Sequence, residues 1–472
     1  MTASTGTGLS GTSGSSGTSG GTSGGTSDGR ALGGRRRTDL IRPIVGTAAP
    51  VYLSMLVSSV AALLDTALLG HRGTATLAAF AVALAVFTPV QTALAGVQRG
   101  VIPFVAAHRE DRAALLPVVR ASRWLGYAVG LLGAGVLAAV PLIGAATGTP
   151  PGTLARLGVF PALLAATVLV TALGATASSV LIGLGRAKAV MRAGLLGTAT
   201  AVLLSVVLVR GLGPVPALGL TGAGLSLLGA TAVSRGAAQL ALRRSEVLRG
   251  LPAHPGRPDP RAVLRQARVG VPLAGTVLVK FAVLGVLTLA AARLGAADAA
   301  VQSVCVALAN LLYTAAVAIG QAAVPLTAVA VRDRDLRRAR RTISTALVVA
   351  LGAVLLLGAV VLGAHRQLVP LFTADPAVRR RALTLLPLVL AAVAADALQA
   401  VAGFGLVALK RTVPSLLSTL LWFGLLGAAA VPIADAGGLR ALWLALAAAN
   451  LLQAVSKAAS FRRQSARAVA AP

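Results

Sequence analysis

Residues 44–70, IVGTAAPVYLSMLVSSVAALLDTALLG, decide the fold. The run is 27 residues long and carries one formal charge, Asp65. At 1.5 Å per helical residue it exceeds the 30 Å or so of hydrocarbon in a bilayer, so it reads as a membrane span. Comparable windows follow at about 77–107, 124–147, 158–183, 190–210, 215–241, 269–293, 299–331, 342–364, 383–409, 414–434 and 438–460. The second and eighth are longer than one crossing needs and contain Pro103 and Pro325, where a helix would bend or break. Composition agrees with this reading. Of 472 residues, 56% are hydrophobic and 12% charged, whereas a soluble domain carries about 25% charge. The expected fold is therefore an all-α integral membrane protein of twelve helices.

The chain holds 43 Lys and Arg against 13 Asp and Glu, a net charge of +30. The cations lie in short clusters between apolar runs, which is the pattern of helix-flanking charge and not of a nucleic-acid-binding face. With the N-terminus inside, about 31 fall on inner segments and about 9 on outer loops, with Arg99, Arg235 and Lys280 inside spans. The positive-inside rule thus supports twelve spans, both termini cytoplasmic and a plasma-membrane location, with anionic lipid head groups as partners.

Residues 1–40, almost wholly Gly, Ser and Thr before a basic cluster, are expected to form a disordered cytoplasmic tail. An N-lobe of six helices would follow over 41–242. A basic linker at 243–265, a second six-helix lobe at 266–462 and a C-terminal tail at 463–472 complete the division. Internal repetition supports the 6+6 arrangement. A shift of 222 residues places Pro50 on Pro272, Gly73 on Gly295, Pro103 on Pro325 and Arg112 on Arg334. Lobes with an even number of spans enter the membrane the same way round, and parallel repeats of this kind are characteristic of transporters.

An acidic group in hydrocarbon is costly and persists mainly where it has a task. Eleven of the thirteen acidic residues fall in tails, in loops or at span edges, leaving Asp65 and Asp396. Each is a candidate proton carrier, although Asp65 lies close enough to its span's outer end to serve as a local hydrogen-bonding group instead. Lys280 is read as the one Lys or Arg in the middle of a span and is the natural partner of Asp396. Structural pairing and functional switching both suit such a pair.

Enzymatic readings find little support. His71, His108, His254 and His365 fall in loops or at their edges without metal-ligand spacing, so no metal or other cofactor is expected. The lone Cys305 cannot make an internal disulfide. The segment GLGRAK at 183–188 lacks phosphate-loop spacing and reads as a basic inner turn. Without an ATPase domain, transport must be secondary.

The first span, with Pro50 followed fifteen residues later by Asp65 and then a Gly-x-x-Gly turn, resembles the opening helix of multidrug and toxic compound extrusion (MATE) transporters. The stretch ADALQAVAGFGLVALKRT, residues 395–412, is similar to that family's C-lobe helix. The resemblance covers roughly residues 40–465. It implies two six-helix bundles in a V, exporting organic, often cationic or amphipathic small molecules in exchange for H⁺ or Na⁺. It further implies that Asp65 is the N-lobe coupling carboxylate, that Pro50 marks the kink of the first helix, and that Asp396 is the C-lobe acid.

This sequence departs from the family pattern at Ala201 and Ser205, where some members carry Asn and Asp. It departs again at Lys280, where some carry Glu, and at the Gly185-Arg186-Ala187 turn. The lost oxygen ligands favour H⁺ over Na⁺ and the DNA-damage-inducible F-like branch. A monomer is expected. The alternative reading is a lipid-linked oligosaccharide or polysaccharide flippase of the same superfamily, which would line its cavity with several cations.

Overall fold

The computed structural model describes residues 37–70, 74–146, 151–211, 216–245, 256–368 and 375–470. Ten long helices are α1 Arg37–Gly70, α2 Thr74–Arg99, α3 Arg112–Ala138, α4 Phe160–Gly183, α5 Ala187–Arg210, α6 Gly219–Arg243, α7 Pro260–Arg293, α8 Ala296–Arg332, α9 Leu336–Gly363 and α10 Pro376–Ala408. A final helical stretch, Val413–Ala470, is broken at Gly437 (φ −149°, ψ 15°) and Gly438 (φ 61°, ψ −154°). The left-handed φ at Gly438 suits a residue without Cβ, and the chain reverses there into two arms, α11 (413–436) and α12 (439–470). The described chain therefore supplies the twelve expected helices.

Ten described stretches, with Val413–Ala468 counted as one, are long and apolar enough to cross a membrane. The stretch α6 is not among them, because Gly, Thr, Ser and Arg235 dilute its hydropathy. It packs between α4 and α5, so its neighbours shield what its own composition would expose. Large apolar side chains such as Leu132, Leu142, Leu289 and Leu356 stand on the outside. On a membrane protein that surface belongs to lipid.

Each lobe repeats one packing plan. In the first, α1 lies on α5, α4 on α6 and α3 on α4. In the second, α7 lies on α11, with Gly275 against Leu416 and Gly427 against Val283. There α10 also lies on α12, joined by a hydrogen bond from the Asn450 side chain to the Ala392 carbonyl. Between lobes α1 packs on α8 and α2 on α7, two pairs that the 222-residue shift interchanges. The α2–α7 crossing is close. A Cβ on Gly100 would sit 2.7 Å from the Gly270 Cα, and one on Gly270 would sit 2.6 Å from the Val97 carbonyl oxygen.

Gly100 also explains why the two long spans end differently. The stretch α2 stops at Arg99, and a short helix, Ile102–Ala107, restarts with Pro103 in its first turn. The equivalent α8 runs unbroken through Pro325, with Ala322 standing where the shift places Gly100. Alanine holds a helix that glycine loosens, by about 0.5–1 kcal/mol.

The end of the bundle carrying the basic connectors is closed between the lobes. Gln266 donates to the Val118 carbonyl at 2.9 Å and Trp124 to that of Gly256 at 3.2 Å. Arg332 reaches the Ala107 carbonyl at 3.4 Å and Glu110 at 3.7 Å. Lys410, in the α10–α11 connector, stands 4.4 Å from the centre of the Phe104 ring. Burial, reinforced by the nearby Arg265 charge, holds the Lys410 ammonium below the ordinary lysine range. Connector acids cap helices here: Asp111 accepts from the Ala113 and Ala114 amides, Asp259 from those of Arg261 and Ala262.

Gly100→Val forces a side chain into this seam. It should cost about 1–3 kcal/mol, read as a lower unfolding midpoint in detergent. Gly46→Ala, where a Cβ meets open space, should hold or raise that midpoint.

Candidate substrate and ion-coupling site

Polar residues in the C-lobe helices fall at helical spacing. Asp396 and Gln399 are three apart on α10, and Asn450, Gln453 and Lys457 form a stripe along one face of α12. The fold turns these faces inward. Lys280 on α7 donates to Asp396 at 2.5 Å, and its ammonium stands 3.3 Å from the centre of the Tyr313 ring on α8. The other Asp396 oxygen accepts from Gln399 at 2.6 Å. The Gln399 carbonyl oxygen accepts from Lys457, which also donates to Gln453 at 3.0 Å. Thr419 on α11 closes the chain with a 2.9 Å bond to Gln453. Four of the six C-lobe helices therefore meet in one hydrogen-bonded network, with α8 joined through the Tyr313 ring, the arrangement that charges out of water require.

The Lys280–Asp396 pair expected from sequence is thus formed. The view of Lys280 as the one mid-span cation is corrected. Lys457, counted by sequence with the basic C-terminal residues, is 1% exposed. The helix α12 runs on to Ala470, which moves Lys457 away from the helix end and into the lobe. Arg99, which sequence places near the inner end of its span, lines the same cavity as Lys280 and Lys457 although it comes from the other lobe. The stripe on α12 was the legible signal for Lys457, and for Arg99 the signal was its place inside a span.

The N-lobe has its own cavity of about 350 Å³, lined in part by Ser54, Ser58, Gln91, Ser178, Thr231 and Arg235. The C-lobe cavity is about 60 Å³. The 222-residue shift maps one lining on the other: Ser54 on Thr276, Ser58 on Lys280, Gln91 on Tyr313, Thr231 on Gln453 and Arg235 on Lys457. The acid does not repeat. Gly174 stands where the shift places Asp396, and a Cβ there would lie 2.3 Å from the Cβ of Arg235. Arg235 instead donates to Ser178 at 3.2 Å, and its Nε has no hydrogen-bond partner among the described residues.

Pro50 is buried on α1, which is continuous across it. Lacking an N–H, Pro50 leaves the Gly46 carbonyl without its helical donor, a point at which the helix can bend. Asp65 lies on the same helix, and its side chain falls outside the described residues. Ala201, one of the positions that departs from the family pattern, lines the N-lobe cavity.

The MatE family model matches residues 50–207 and again 272–433, so its two copies begin on Pro50 and Pro272, the register of the internal repeat. The chain belongs to the MatE family. It is accordingly a multi-pass membrane transporter and not an enzyme. Among its relatives are probable multidrug resistance proteins NorM from Aromatoleum aromaticum, 32% identical over 84% of this chain and 85% of that one, and from Chromobacterium violaceum, 28% identical over 82% and 84%. Its fold is similar to that of a solved MOP superfamily transporter from Pyrococcus furiosus (TM-score 0.82, 19% identity, 92% of this chain and 97% of that one). A MATE family transporter solved in an outward-facing conformation matches equally well, with TM-score 0.82 and 19% identity over 92% and 97%. The two-lobe, twelve-helix fold of this MatE transporter is shared with these structures.

Asp396→Asn would leave Lys280 buried without its counter-ion and should destabilise the C-lobe by about 3–5 kcal/mol. Replacing both partners, Lys280→Met with Asp396→Leu, should recover most of that loss. Unfolding midpoints of the two singles and the double, measured in detergent, form the cycle that checks it.

Proposed function

We propose that this MatE transporter is a secondary exporter of drug-like organic compounds, coupled to inward H⁺ movement by alternating access between its lobes. The observation that carries the reading is the seam: lobes related by the 222-residue repeat, joined through backbone contact at the basic end, each with a polar cavity in its interior. The multidrug resistance proteins among its relatives support a drug-like substrate. The charge alternation supports placing the basic end in the cytoplasm, with both termini there, in the plasma membrane. With that end closed, the cavities face outward. Anionic lipid head groups meet the basic connectors, and the chain works as a monomer.

In the proposed cycle Asp65 takes a proton from outside while the cavities face outward. Loss of its charge rearranges hydrogen bonds around α1, which bends at Pro50, and favours substrate release. The neutral form permits return to the inward-facing state, where the proton leaves and substrate reloads. Asp396 and Lys280 form a second switch: protonation of Asp396 would release Lys280 and, through Gln399, loosen Lys457.

Efflux from proteoliposomes of a panel of fluorescent organic dyes, under an imposed pH gradient or Na⁺ gradient, tests this reading. Wild type should move dye under the pH gradient and not under the Na⁺ gradient, and Asp65→Asn should slow it at least tenfold with insertion unchanged. Transport driven only by Na⁺ would overturn H⁺ coupling, and an unaffected mutant would remove Asp65 as carrier.

A further inference from the structure

The C-lobe cavity contains more positive charge than the coupling reading uses. Arg99, Lys280 and Lys457 line it, and among the described residues no acidic side chain does. Asp396, the carboxylate on Lys280, is engaged by it and by Gln399. Among the described residues, Lys457 is met by the neutral amide oxygens of Gln399 and Gln453. Neither Arg99 nor Lys457 pairs with a carboxylate among the described residues. Three basic side chains therefore share a single carboxylate, which Lys280 already engages. A cation in hydrocarbon without a counter-ion is expensive, and it is kept where an anion arrives to meet it.

The repeat supplies independent support. Arg235, which the 222-residue shift places on Lys457, is likewise a cation aimed into a polar cavity, and its Nε has no partner among the described residues. The sixth helix of each lobe therefore directs a basic side chain inward, while the position of Asp396 is held in the other lobe by Gly174. A site built for a cationic drug would show the opposite bias, acids or aromatic faces toward the cavity. Here the Tyr313 face beside the ion pair is already covered by Lys280, and Phe404 and Phe423 belong to the apolar part of the cavity wall.

We propose that the C-lobe cavity binds the anionic group of an amphipathic organic anion, a carboxylate, sulfonate or phosphate, with Arg99, Lys280 and Lys457 as its ligands. At about 60 Å³ the cavity holds a few waters or one such group. The apolar remainder of the ligand lies against Leu273, Val277, Val317 and Phe404 at the cavity wall. Arg99 comes from α2 and the two lysines from α7 and α12, so one anion ties the two lobes together. This assignment rests on the transporter reading above and names its substrate class.

Binding and transport are measured separately on the full chain. In detergent, fluorescence anisotropy of carboxyfluorescein, an organic anion, and of rhodamine 6G, an organic cation, gives the two Kd values. Carboxyfluorescein should bind at least tenfold more tightly than rhodamine 6G. Lys457→Gln and Arg99→Gln should each weaken it at least tenfold, while Lys457→Arg should retain it. Monodisperse elution of each variant confirms folding, and Arg99→Gln carries the test if Lys457→Gln does not fold. Tighter binding of rhodamine 6G, no saturable carboxyfluorescein binding, or an unchanged Kd in Arg99→Gln overturns the anion site. Displacement of the bound dye by dioctanoyl phosphatidic acid but not by naphthalene sulfonate supports the site and assigns it to a lipid-borne head group, and the converse supports it with a free organic anion. Intact binding with no carboxyfluorescein movement in proteoliposomes under any gradient leaves the site standing and removes the exporter reading instead.

Discussion

Where α2 crosses α7, the backbones approach so closely that a Cβ on Gly100 would lie 2.7 Å from the Gly270 Cα. In lipid there is little hydrophobic gain from pressing two apolar helices together, so contact must come from packing, and packing this tight needs small residues. Gly96 against Ala274 and Gly100 against Gly270 meet that requirement. The rest of the architecture follows from the crossing. It fixes which faces of α2 and α7 look at each other, it closes the basic end, and it brings Arg99 to the cavity of the opposite lobe.

The interior of the C-lobe is organised by a second constraint, the cost of charge away from water. Lys280 and Asp396 satisfy each other, while Lys457 is held by amide oxygens, which orient it without neutralising it. The N-lobe keeps the cation of this arrangement and loses the acid, since Gly174 makes room for the stem of Arg235 where the other lobe has Asp396. The two lobes are thus alike in backbone and unlike in charge. Such asymmetry lets one binding event act differently on the two lobes, as a transporter that must release substrate at one side requires.

Much of this was legible along the chain. Hydropathy and length gave all twelve helices, charge alternation supported their number, and the 222-residue register located both copies of the family model. Where sequence and structure part, the cause is local composition set against packing. The two long spans share a proline, and the break in one follows from Gly100 against Ala322.

The sequence by itself determined that this chain is a bundle of membrane helices in two repeated halves, and that Asp396 and Lys280 are costly enough to need each other. These are properties of composition and period, which each segment carries alone. Only the tertiary structure decided that Lys457 is a core residue and that Arg99 serves the opposite lobe. Burial of a charged side chain depends on what the neighbouring helices place around it, and for Arg99 those neighbours, α7 and α8, come from the other half of the chain.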